Sequence, residues 1–488
     1  GNKLIMKKKL LLTYPNQRWE KEDTNTTWNL NPGTLCLLAE MVRDEVDVKV
    51  IDAQFYNLSV QQFINKVSDY KPDYVGISVL TSEYSNILDV AADAVKDIDP
   101  NIIVIAGGVY ITIDYKQIMQ NESIDYCVRG EGEYVIRELI QYLNGKQDNL
   151  PSEGIVYRNN REIIDSPPAI VSDLTKLPWP DYSLVKLEDY TNHEEREGPV
   201  WGTERPTFRL IVTRGCPVGC SFCQVEYISG KKTRTRDPED VVNELLFLKR
   251  KYGVKSVIFE DDNISMNKRF FMRLLELMIE KKLNLKWIIQ AFAIFTLKEK
   301  MLDLMVKAGC VGVNVAIESG NQRVMDEIVL KPLKLERIPP LIKKITDRGL
   351  FVLANFIIGF PGESWGEIRE TIRFAEHSGA DYCKFFVAMP LSHTKMLDMA
   401  ISKGVLDTDG HLFMDWRYGQ ISSDEWTSKD ISTLRAYEWD RINFSTKEQR
   451  KKISEMWSVT ENQVEVIRKQ TRDAVNFGTK MPNDITPV

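Results

Sequence analysis

The chain has 488 residues, a length for which about three domains are expected. Apolar residues make up 43% of it and charged residues 27%, the usual globular mixture, and the formal net charge is -6. This acidic balance argues against nucleic acid as a partner, and the sequence has no apolar run of the roughly 18 residues that a membrane span needs.

The first part of the chain alternates predicted strands and helices. Between the strands, apolar residues recur at helical spacing. Residues 6–145 are therefore predicted to form a doubly wound, Rossmann-like α/β domain whose ligand lies beyond the carboxyl ends of its strands. The predicted strands are apolar and β-branched, as buried parallel strands are: 8–15, 46–53, 74–80, 101–108 and 126–130.

A proline-containing stretch, residues 146–200, is predicted to be a linker because Pro178 and Pro180 interrupt regular structure. The βα alternation then resumes over residues 201–395, which are predicted to form a partial (βα)6 TIM barrel with its chemistry in the loops at the strand ends. Its predicted strands are 209–215, 256–262, 287–293, 312–320, 351–360 and 382–389.

The last region, residues 396–488, is predicted to be mostly helical and to cap the barrel near the substrate. It contains four tryptophans, Trp416, Trp426, Trp439 and Trp457. Such residues are more often core than a ligand platform.

Three of the seven cysteines cluster in RGCPVGCSFC (214–223): Cys216, Cys220 and Cys223. The other four are scattered, which is not a disulfide framework and indicates a reducing, cytoplasmic setting. The cluster follows the first strand of the second βα array, where a barrel has an active-site loop. Three thiolates there can bind three irons of a cubane cluster and leave the fourth iron open.

Two other interpretations of these cysteines stay open. A structural zinc site needs a fourth ligand, and the nearest histidine, His193, lies upstream of the strand. A redox dithiol favours a two-residue spacer alone. Spacing and position together favour the iron–sulfur cluster.

The pattern Cys-x3-Cys-x2-Cys after the first strand, with Phe222 before the last cysteine, resembles the radical S-adenosylmethionine (SAM) superfamily. Later segments resemble strand-end motifs of that superfamily: IFEDDNIS (258–265), AIESGNQRVM (316–325) and IIGFPGES (357–364). The first 145 residues and the LPWP sequence (177–180) resemble its cobalamin-dependent branch, which includes the class B methyltransferases. The resemblance extends over about residues 8–395.

The resemblance implies which residues meet the cofactors. The three cysteines would bind a 4Fe–4S cluster and so carry the catalytic iron. The residues implied for SAM are Phe222, Glu260, Asp261, Gln290, Glu318, Ser319, Gly359 and Pro361. Those implied for cobalamin are Tyr14, Pro15, Gly33, Thr34, Ser78, Leu80, Thr81, Tyr84, Gly107, Gly108, Val109, Gly130, Glu131 and Gly132.

The chemistry that the resemblance implies is a radical methyl transfer. An electron from the reduced cluster cleaves SAM, the deoxyadenosyl radical removes hydrogen from a substrate carbon, and the carbon radical takes a methyl group from methylcobalamin, which a second SAM restores. We expect C-methylation of an unactivated sp3 carbon of a small polar metabolite. A flavodoxin- or ferredoxin-like protein would donate the electrons, and neither nucleic acid nor a membrane would be a partner. A non-methylating cobalamin radical enzyme and a non-catalytic cobalamin or iron–sulfur sensor remain alternatives.

Histidine usage adds an independent expectation. No histidine precedes His193, so the first domain has no imidazole to place on cobalt, and cobalamin is expected base-off. A later histidine, His393, is a candidate active-site group or an ordinary surface or core residue.

Several of the implied residues also have purely structural interpretations. Gly107 and Gly108 can form a tight turn, Gly130–Gly132 can begin a helix, and Ser78 can cap one. The sequence also departs from the superfamily's pattern, because Tyr110 and Phe292 stand where histidine and arginine are often found.

Overall fold

The protein is described from a computed structural model. The structure describes residues 6–20, 32–81, 85–193, 202–407 and 419–475, so Tyr84 and Trp416 lie outside it. The chain divides into two compact units, Gly1–Tyr190 and Thr191–Val488.

The first unit is built on a seven-stranded sheet with the order β2-β1-β3-β4-β5-β6-β7. The first five strands are parallel, and their order 2-1-3-4-5 is one of the doubly wound arrangements. The strands are β1 (Lys9–Tyr14), β2 (Asp47–Asp52), β3 (Tyr74–Ser78), β4 (Ile103–Gly107), β5 (Tyr126–Val128), β6 (Ile155–Asn159) and β7 (Glu162–Ile164).

The predicted linker is more ordered than expected, because β6 and β7 form an antiparallel hairpin that extends this sheet. Asn160, with φ 57°, makes the turn between them. Both strands are short, and only Ile155 and Val156 of β6 are buried, so their apolar pattern is weak in the sequence.

Helices cover both faces of the first sheet. Alternate strand residues enter two separate apolar cores: Leu11 and Val104 join one, and Leu10 and Ile105 the other. This alternation confirms the doubly wound fold. The helices are α1 (Gly33–Val42), α2 (Val60–Tyr70), α3 (Asn86–Ile98), α4 (Val109–Ile118) and α5 (Glu133–Leu143), and the short helix α6 (Leu187–Thr191) follows the hairpin.

The second unit contains a six-stranded, all-parallel sheet with the order β15-β14-β13-β12-β11-β8, so β8 and β15 are its edges. The predicted first strand is split, because a short antiparallel pair, β9 and β10, follows β8. The strands are β8 (Thr207–Leu210), β9 (Thr213–Arg214), β10 (Arg234–Thr235), β11 (Ser256–Phe259), β12 (Lys286–Phe292), β13 (Cys310–Glu318), β14 (Phe351–Ile358) and β15 (Tyr382–Val387).

A helix follows each inner strand, as a partial (βα)6 barrel requires. Asp237 caps α8, with Pro238 in its first turn, as the sequence predicts. The helices up to β15 are α7 (Val225–Ser229), α8 (Pro238–Tyr252), α9 (Lys268–Glu280), α10 (Glu299–Lys307), α11 (Gln322–Val324), α12 (Ile338–Asp347) and α13 (Trp365–His377), with a π-helical turn at Met325–Val329.

The C-terminal helices cover the open edge of β15. Asn443 accepts from the N–H of Cys383 (2.9 Å) and donates to its carbonyl oxygen (2.7 Å), so it replaces a neighbouring strand. Trp439 donates to the Tyr382 hydroxyl (2.7 Å) and is buried with Trp457. These helices are α14 (Lys395–Lys403), α15 (Ser428–Phe444), α16 (Lys447–Trp457) and α17 (Glu461–Val475).

Candidate active site

The three clustered cysteines lie in the loop between β9 and α7. Two glycines give this loop its turns, since Gly215 has φ 85° and Gly219 has φ 75°, in the left-handed region that favours glycine. A Cβ atom at Gly215 would overlap the carbonyl oxygen of Lys232, whereas one at Gly219 would have its nearest neighbour 3.8 Å away. Gly215 is therefore required for both backbone conformation and space.

Backbone hydrogen bonds hold the middle of this cysteine loop. The N–H of Ser221 donates to the carbonyl oxygen of Val329 (2.9 Å), and the Ser221 carbonyl accepts from the N–H of Met396 (2.9 Å). The loop is thus tied to the segment after β13 and to the start of α14, which are distant in sequence.

Asp261 holds the chain just before the cysteine loop. Its Oδ2 accepts from the N–H groups of Val212 (3.0 Å) and Thr213 (2.6 Å) and from the Thr213 hydroxyl (2.6 Å). Asp261 is buried, and burial raises its pKa to about 7. Its described contacts are with the protein, so they support a positioning role.

The thiols are free and half-buried, and two of them have hydrogen-bond donors. Cys223 Sγ accepts from the N–H of Val225 (3.4 Å), and Cys216 Sγ accepts from Asn263 Nδ2 (3.8 Å). Burial raises the pKa of Cys220 to about 12 and that of Cys223 to about 11. Without metal the thiols of Cys220 and Cys223 are therefore protonated near neutral pH, and metal binding releases their protons.

This donor set fits a cubane cluster better than a single ion. Among the described residues, no group of three or more histidine, cysteine, aspartate or glutamate side chains is arranged to hold one metal ion. In a cubane each thiolate binds a different iron, so the sulfurs need not converge on one point. Three half-buried thiols on one loop, with donors to two sulfurs, meet that requirement.

The residues expected at SAM lie at or near the carboxyl ends of the strands of the second sheet. Glu260 and Asp261 follow β11, Gln290 is near the end of β12, and Glu318 ends β13. The loop after β14, with Gly359 and Pro361, meets the cysteine loop, because the ring centroids of Phe360 and Phe222 are 6.3 Å apart. Parallel strands place all these residues on one rim of the sheet.

Glu318 has an unusual backbone. Its φ is 77°, and the β13–β14 register shifts just before it, so the strand bulges there. Its buried carboxylate pairs with Lys331 Nζ (3.2 Å), which also donates to the Ala316 carbonyl oxygen (2.5 Å). Strained backbone of this kind often marks a functional site.

Ser319 differs from its neighbour in the same motif. It is fully buried, and its hydroxyl is 3.3 Å from that of Thr371. Its described contacts are internal and, like those of Asp261, support a structural role.

Sequence reasoning did not identify Lys331 or Glu363. Buried Glu363 accepts through Oε1 from the N–H groups of Gly359 (2.9 Å) and Phe360 (3.1 Å), so it shapes the loop after β14. Burial raises its pKa to about 8. No local pattern marks either residue, because their partners are set by loop geometry.

The residues expected at cobalamin lie at the carboxyl ends of the parallel strands of the first unit. Tyr14 and Pro15 end β1, Ser78, Leu80 and Thr81 end β3, and Gly33 and Thr34 begin α1. Gly107, Gly108 and Val109 join β4 to α4, and Gly130, Glu131 and Gly132 join β5 to α5.

The glycine pair after β4 leaves room for a ligand. Nothing lies within 4 Å of the position that a Cβ atom of Gly107 would take, so this backbone surface is open. Gly108 has φ 110°, and a Cβ atom there would overlap the carbonyl oxygen of Val79. An open backbone held in place by its neighbour fits the approach of a flat macrocycle.

The Gly130–Gly132 segment has an internal role. Glu131 Oε1 accepts from the N–H of Val171 (2.7 Å), and a Cβ atom at Gly130 would overlap the carbonyl oxygen of Ala169. This segment packs on the chain after β7.

His393, the candidate histidine after β15, is exposed and has φ 61°. Its ring stacks on Tyr227 of α7, with centroids 3.9 Å apart and planes within 5°. This stacking packs the loop after β15 against the helix that follows the cysteines.

No helix in the described part of the chain is long and apolar enough to span a membrane.

Comparison with known proteins places both units in families. Residues 210–375 match the Radical SAM superfamily, and residues 30–140 match the B12 binding domain. An uncharacterised methyltransferase of Pyrococcus horikoshii is 31% identical over 432 residues, covering 87% of this chain and 90% of its own length. The chain belongs to the cobalamin-dependent radical SAM methyltransferase family.

Two further comparisons define the breadth of this similarity. The radical SAM methyltransferase TsrM of Kitasatospora setae, solved with cobalamin and a [4Fe-4S] cluster, shares the fold with a TM-score of 0.71 at 17% identity, over 96% of this chain and all of that one. The anaerobic magnesium-protoporphyrin IX monomethyl ester cyclase of Rubrivivax gelatinosus is 27% identical over 394 residues, covering 78% of this chain and 68% of the cyclase.

Membership of the family confirms the predicted cofactors and an enzymatic role. The cofactors of this radical SAM enzyme are a 4Fe–4S cluster, SAM and cobalamin. Because this family consists of enzymes, the alternative of a non-catalytic cobalamin or iron–sulfur sensor, which the sequence left open, is excluded.

Proposed function

We propose that this enzyme transfers a methyl group to an unactivated sp3 carbon of a small polar metabolite. The observation that carries the proposal is the presence, in one chain, of an open-iron cysteine loop and a cobalamin-binding domain. A nucleophilic carbon would take a methyl group without a radical, so the radical machinery is needed only where the carbon is unactivated. The 31% identical relative named a methyltransferase supports this outcome.

In this proposal, Cys216, Cys220 and Cys223 would hold the 4Fe–4S cluster, which would supply an iron site open to SAM. Among the SAM contacts, Glu318 presents its carboxylate at the rim and Lys331 holds it there. Asp261 and Ser319 position the nearby backbone by accepting hydrogen bonds from its N–H groups. The remaining SAM contacts are Phe222, Glu260, Gln290, Gly359 and Pro361.

When bound, SAM at the cluster supplies a deoxyadenosyl radical, and cobalamin supplies a methyl group that a carbon radical can take. The chain itself positions the reactants and excludes water. Its anchored cysteine loop keeps the open iron in one place, and the buried Glu363 fixes the Gly359–Phe360 backbone on the same rim.

On the cobalamin side, Gly107 offers open backbone and the β3 end offers Ser78 and Thr81. No histidine precedes His193, so we propose the base-off form, with no protein imidazole on cobalt. Cobalamin held by this domain without an imidazole would supply a methyl group for transfer to a radical.

The test uses SAM with a deuterated methyl group, a chemical reductant, cobalamin and candidate substrates, with the anaerobically reconstituted enzyme. We expect a product that carries the intact labelled methyl group, with deoxyadenosine formed alongside. The C220A variant is the matched control and should form neither. A substrate that is turned over without incorporating label would refute methylation.

A second candidate function is a radical reaction without methylation, because one relative is named a cyclase. The same labelling experiment separates the two, since ring formation or oxidation leaves no labelled methyl group in the product. A flavodoxin- or ferredoxin-like electron donor and a cytoplasmic location stay predictions.

A further inference from the structure

The two faces of the second sheet can be told apart by what packs on them. The ring of Phe356 meets that of Phe374 on α13, with centroids 6.2 Å apart, and stacks on Phe385 at 5.7 Å. This is the helix-covered face. Because successive side chains alternate, Asn355 and Lys384 point to the opposite, inner face of the sheet.

Asn355 and Lys384 are neighbours on that inner face. They are register partners across the parallel β14–β15 pair, and such strands lie about 4.8 Å apart. Ala316 is the register partner of Asn355 on β13. Asn314, two residues earlier on β13, shares the inner face.

These polar groups are unsatisfied in the described part of the chain. Lys384 is half-buried and has no hydrogen-bond or ion-pair partner among the described residues. The amide oxygens of Asn314 and Asn355 are buried and also lack partners. Buried polar groups usually have a partner, and leaving one unmade costs about 1–3 kcal/mol. The two buried amide oxygens, beside a half-buried lysine, indicate that a ligand supplies the missing partners.

The charge on this face indicates which ligand. Arg209 of β8 pairs with Glu260, and Lys331 at the rim pairs with Glu318, so these charges cancel. The ammonium group of Lys384 remains uncompensated among the described residues. The inner face therefore favours a ligand that has an anionic oxygen group for Lys384 and hydroxyl or amine donors for the two amide oxygens.

We propose that Lys384 binds an anionic oxygen group of the substrate, a phosphate, phosphonate or carboxylate, and that the amide oxygens of Asn355 and Asn314 accept from hydroxyl or amine donors of the same molecule. This inference rests on the proposed function, since it names the substrate class of that reaction. Lys384 precedes the end of β15 by three residues, about 10 Å at 3.3 Å per residue. An anion held there leaves the rest of a small molecule to extend toward the rim, where the radical is generated.

The test measures anion binding without turnover, so failure of methyl transfer cannot affect it. Radiolabelled inorganic phosphate and acetate are dialysed to equilibrium against the reconstituted holoenzyme, with SAM present to occupy its own contacts. The variants are K384M, which keeps the side-chain length but removes the charge, and K384R, which keeps the charge. K300M is the matched control, because Lys300 is an exposed lysine on α10 of the same unit.

We expect wild type and K300M to bind at least one probe equally, and K384M to bind it about tenfold or more weakly, as loss of one charge-assisted hydrogen bond predicts. K384R should recover part of the affinity. Loss of phosphate binding alone indicates a phosphorylated or phosphonate substrate, and loss of acetate binding alone indicates a carboxylate. Equal binding by wild type and K384M, or no binding of either probe by wild type, would overturn the proposal. Cluster content and circular dichroism must match among the variants.

Discussion

Replacing Gly215 by alanine should prevent the cluster from forming. This glycine comes directly before Cys216, and the N–H of Cys216 donates to the Gly230 carbonyl oxygen (3.3 Å). A methyl group at Gly215 would overlap the carbonyl oxygen of Lys232 and lie 3.0 Å from its carbonyl carbon. Both neighbours are backbone atoms, so the strain cannot be relieved by rotating a side chain.

The magnitude follows from two separate costs. A φ of 85° places alanine in the left-handed region, which costs about 1–2 kcal/mol for an L-residue. Overpacking against a fixed group adds about 1–3 kcal/mol. Moving the backbone relieves the overlap but displaces Cys216. The total, about 2–5 kcal/mol, is large beside the stability of a single loop.

The assay is the iron and sulfide content of the protein after anaerobic reconstitution. Gly219→Ala is the matched control, because Gly219 lies in the same loop with φ 75°, but its Cβ atom would have 3.8 Å to the nearest atom. Gly253→Ala repeats the same backbone cost at the end of α8, where nothing lies within 4 Å. We expect little cluster in G215A and near wild-type content in both controls.

Equal cluster content in G215A and G219A would refute the reasoning. It would mean that the close approach to Lys232 does not constrain the cysteine loop. Loss of the cluster in G253A would show instead that backbone strain anywhere in this unit is sufficient.

Three further predictions concern other parts of the chain. Gly108→Ala should lower the stability of the cobalamin-free first unit by about 2–5 kcal/mol, whereas Gly107→Ala should leave that stability unchanged and weaken only cobalamin binding. Thermal denaturation measures the stability and cobalamin titration measures the binding. Equal stability of both variants would contradict this prediction. Glu363 keeps its proton up to a pKa of about 8 in the folded protein, whereas in the unfolded chain it loses the proton near pH 4.5. Its contribution to the free energy of unfolding therefore declines as pH rises through that window, and Glu363→Gln should remove up to about 1.4 kcal/mol of this decline per pH unit. Parallel pH profiles of denaturation for wild type and variant would argue against this prediction. Asn443→Leu leaves the Cys383 N–H and carbonyl groups without partners and should cost about 2–6 kcal/mol. An unchanged denaturation midpoint would show that water replaces the amide.

Much of this protein is determined by local sequence. The spacing of Cys216, Cys220 and Cys223 predicts the cluster, because ligands on one loop need no distant contact to be recognised. The apolar, β-branched segments predict the parallel strands, and five in the first unit and five in the second are observed within about three residues of their predicted ends. Strand-end motifs could also be assigned to a single rim, because parallel strands end on the same side.

Local sequence was weaker where a short element depends on its neighbours. The β6–β7 hairpin lies in the predicted linker, and its strands become evident only when they pair with the edge at β5. Asn443 shows no strand pattern, yet it takes the place of a strand beside Cys383. In both cases the hydrogen-bonding partner is far away in the chain.

Only the tertiary structure decided what individual site residues do. Asp261 follows β11 and Ser319 follows β13 as expected, but their burial and internal hydrogen bonds could not be predicted from motifs. The ion pair of Glu318 with Lys331 depends on the bulge and on the loop that returns after it. Lys384 is an ordinary lysine in the sequence. Only the alignment of β14 and β15 shows that it lies on the inner face of the sheet, without a counter-charge among the described residues. Charge balance depends on neighbours in space rather than along the chain, so local sequence could not predict it.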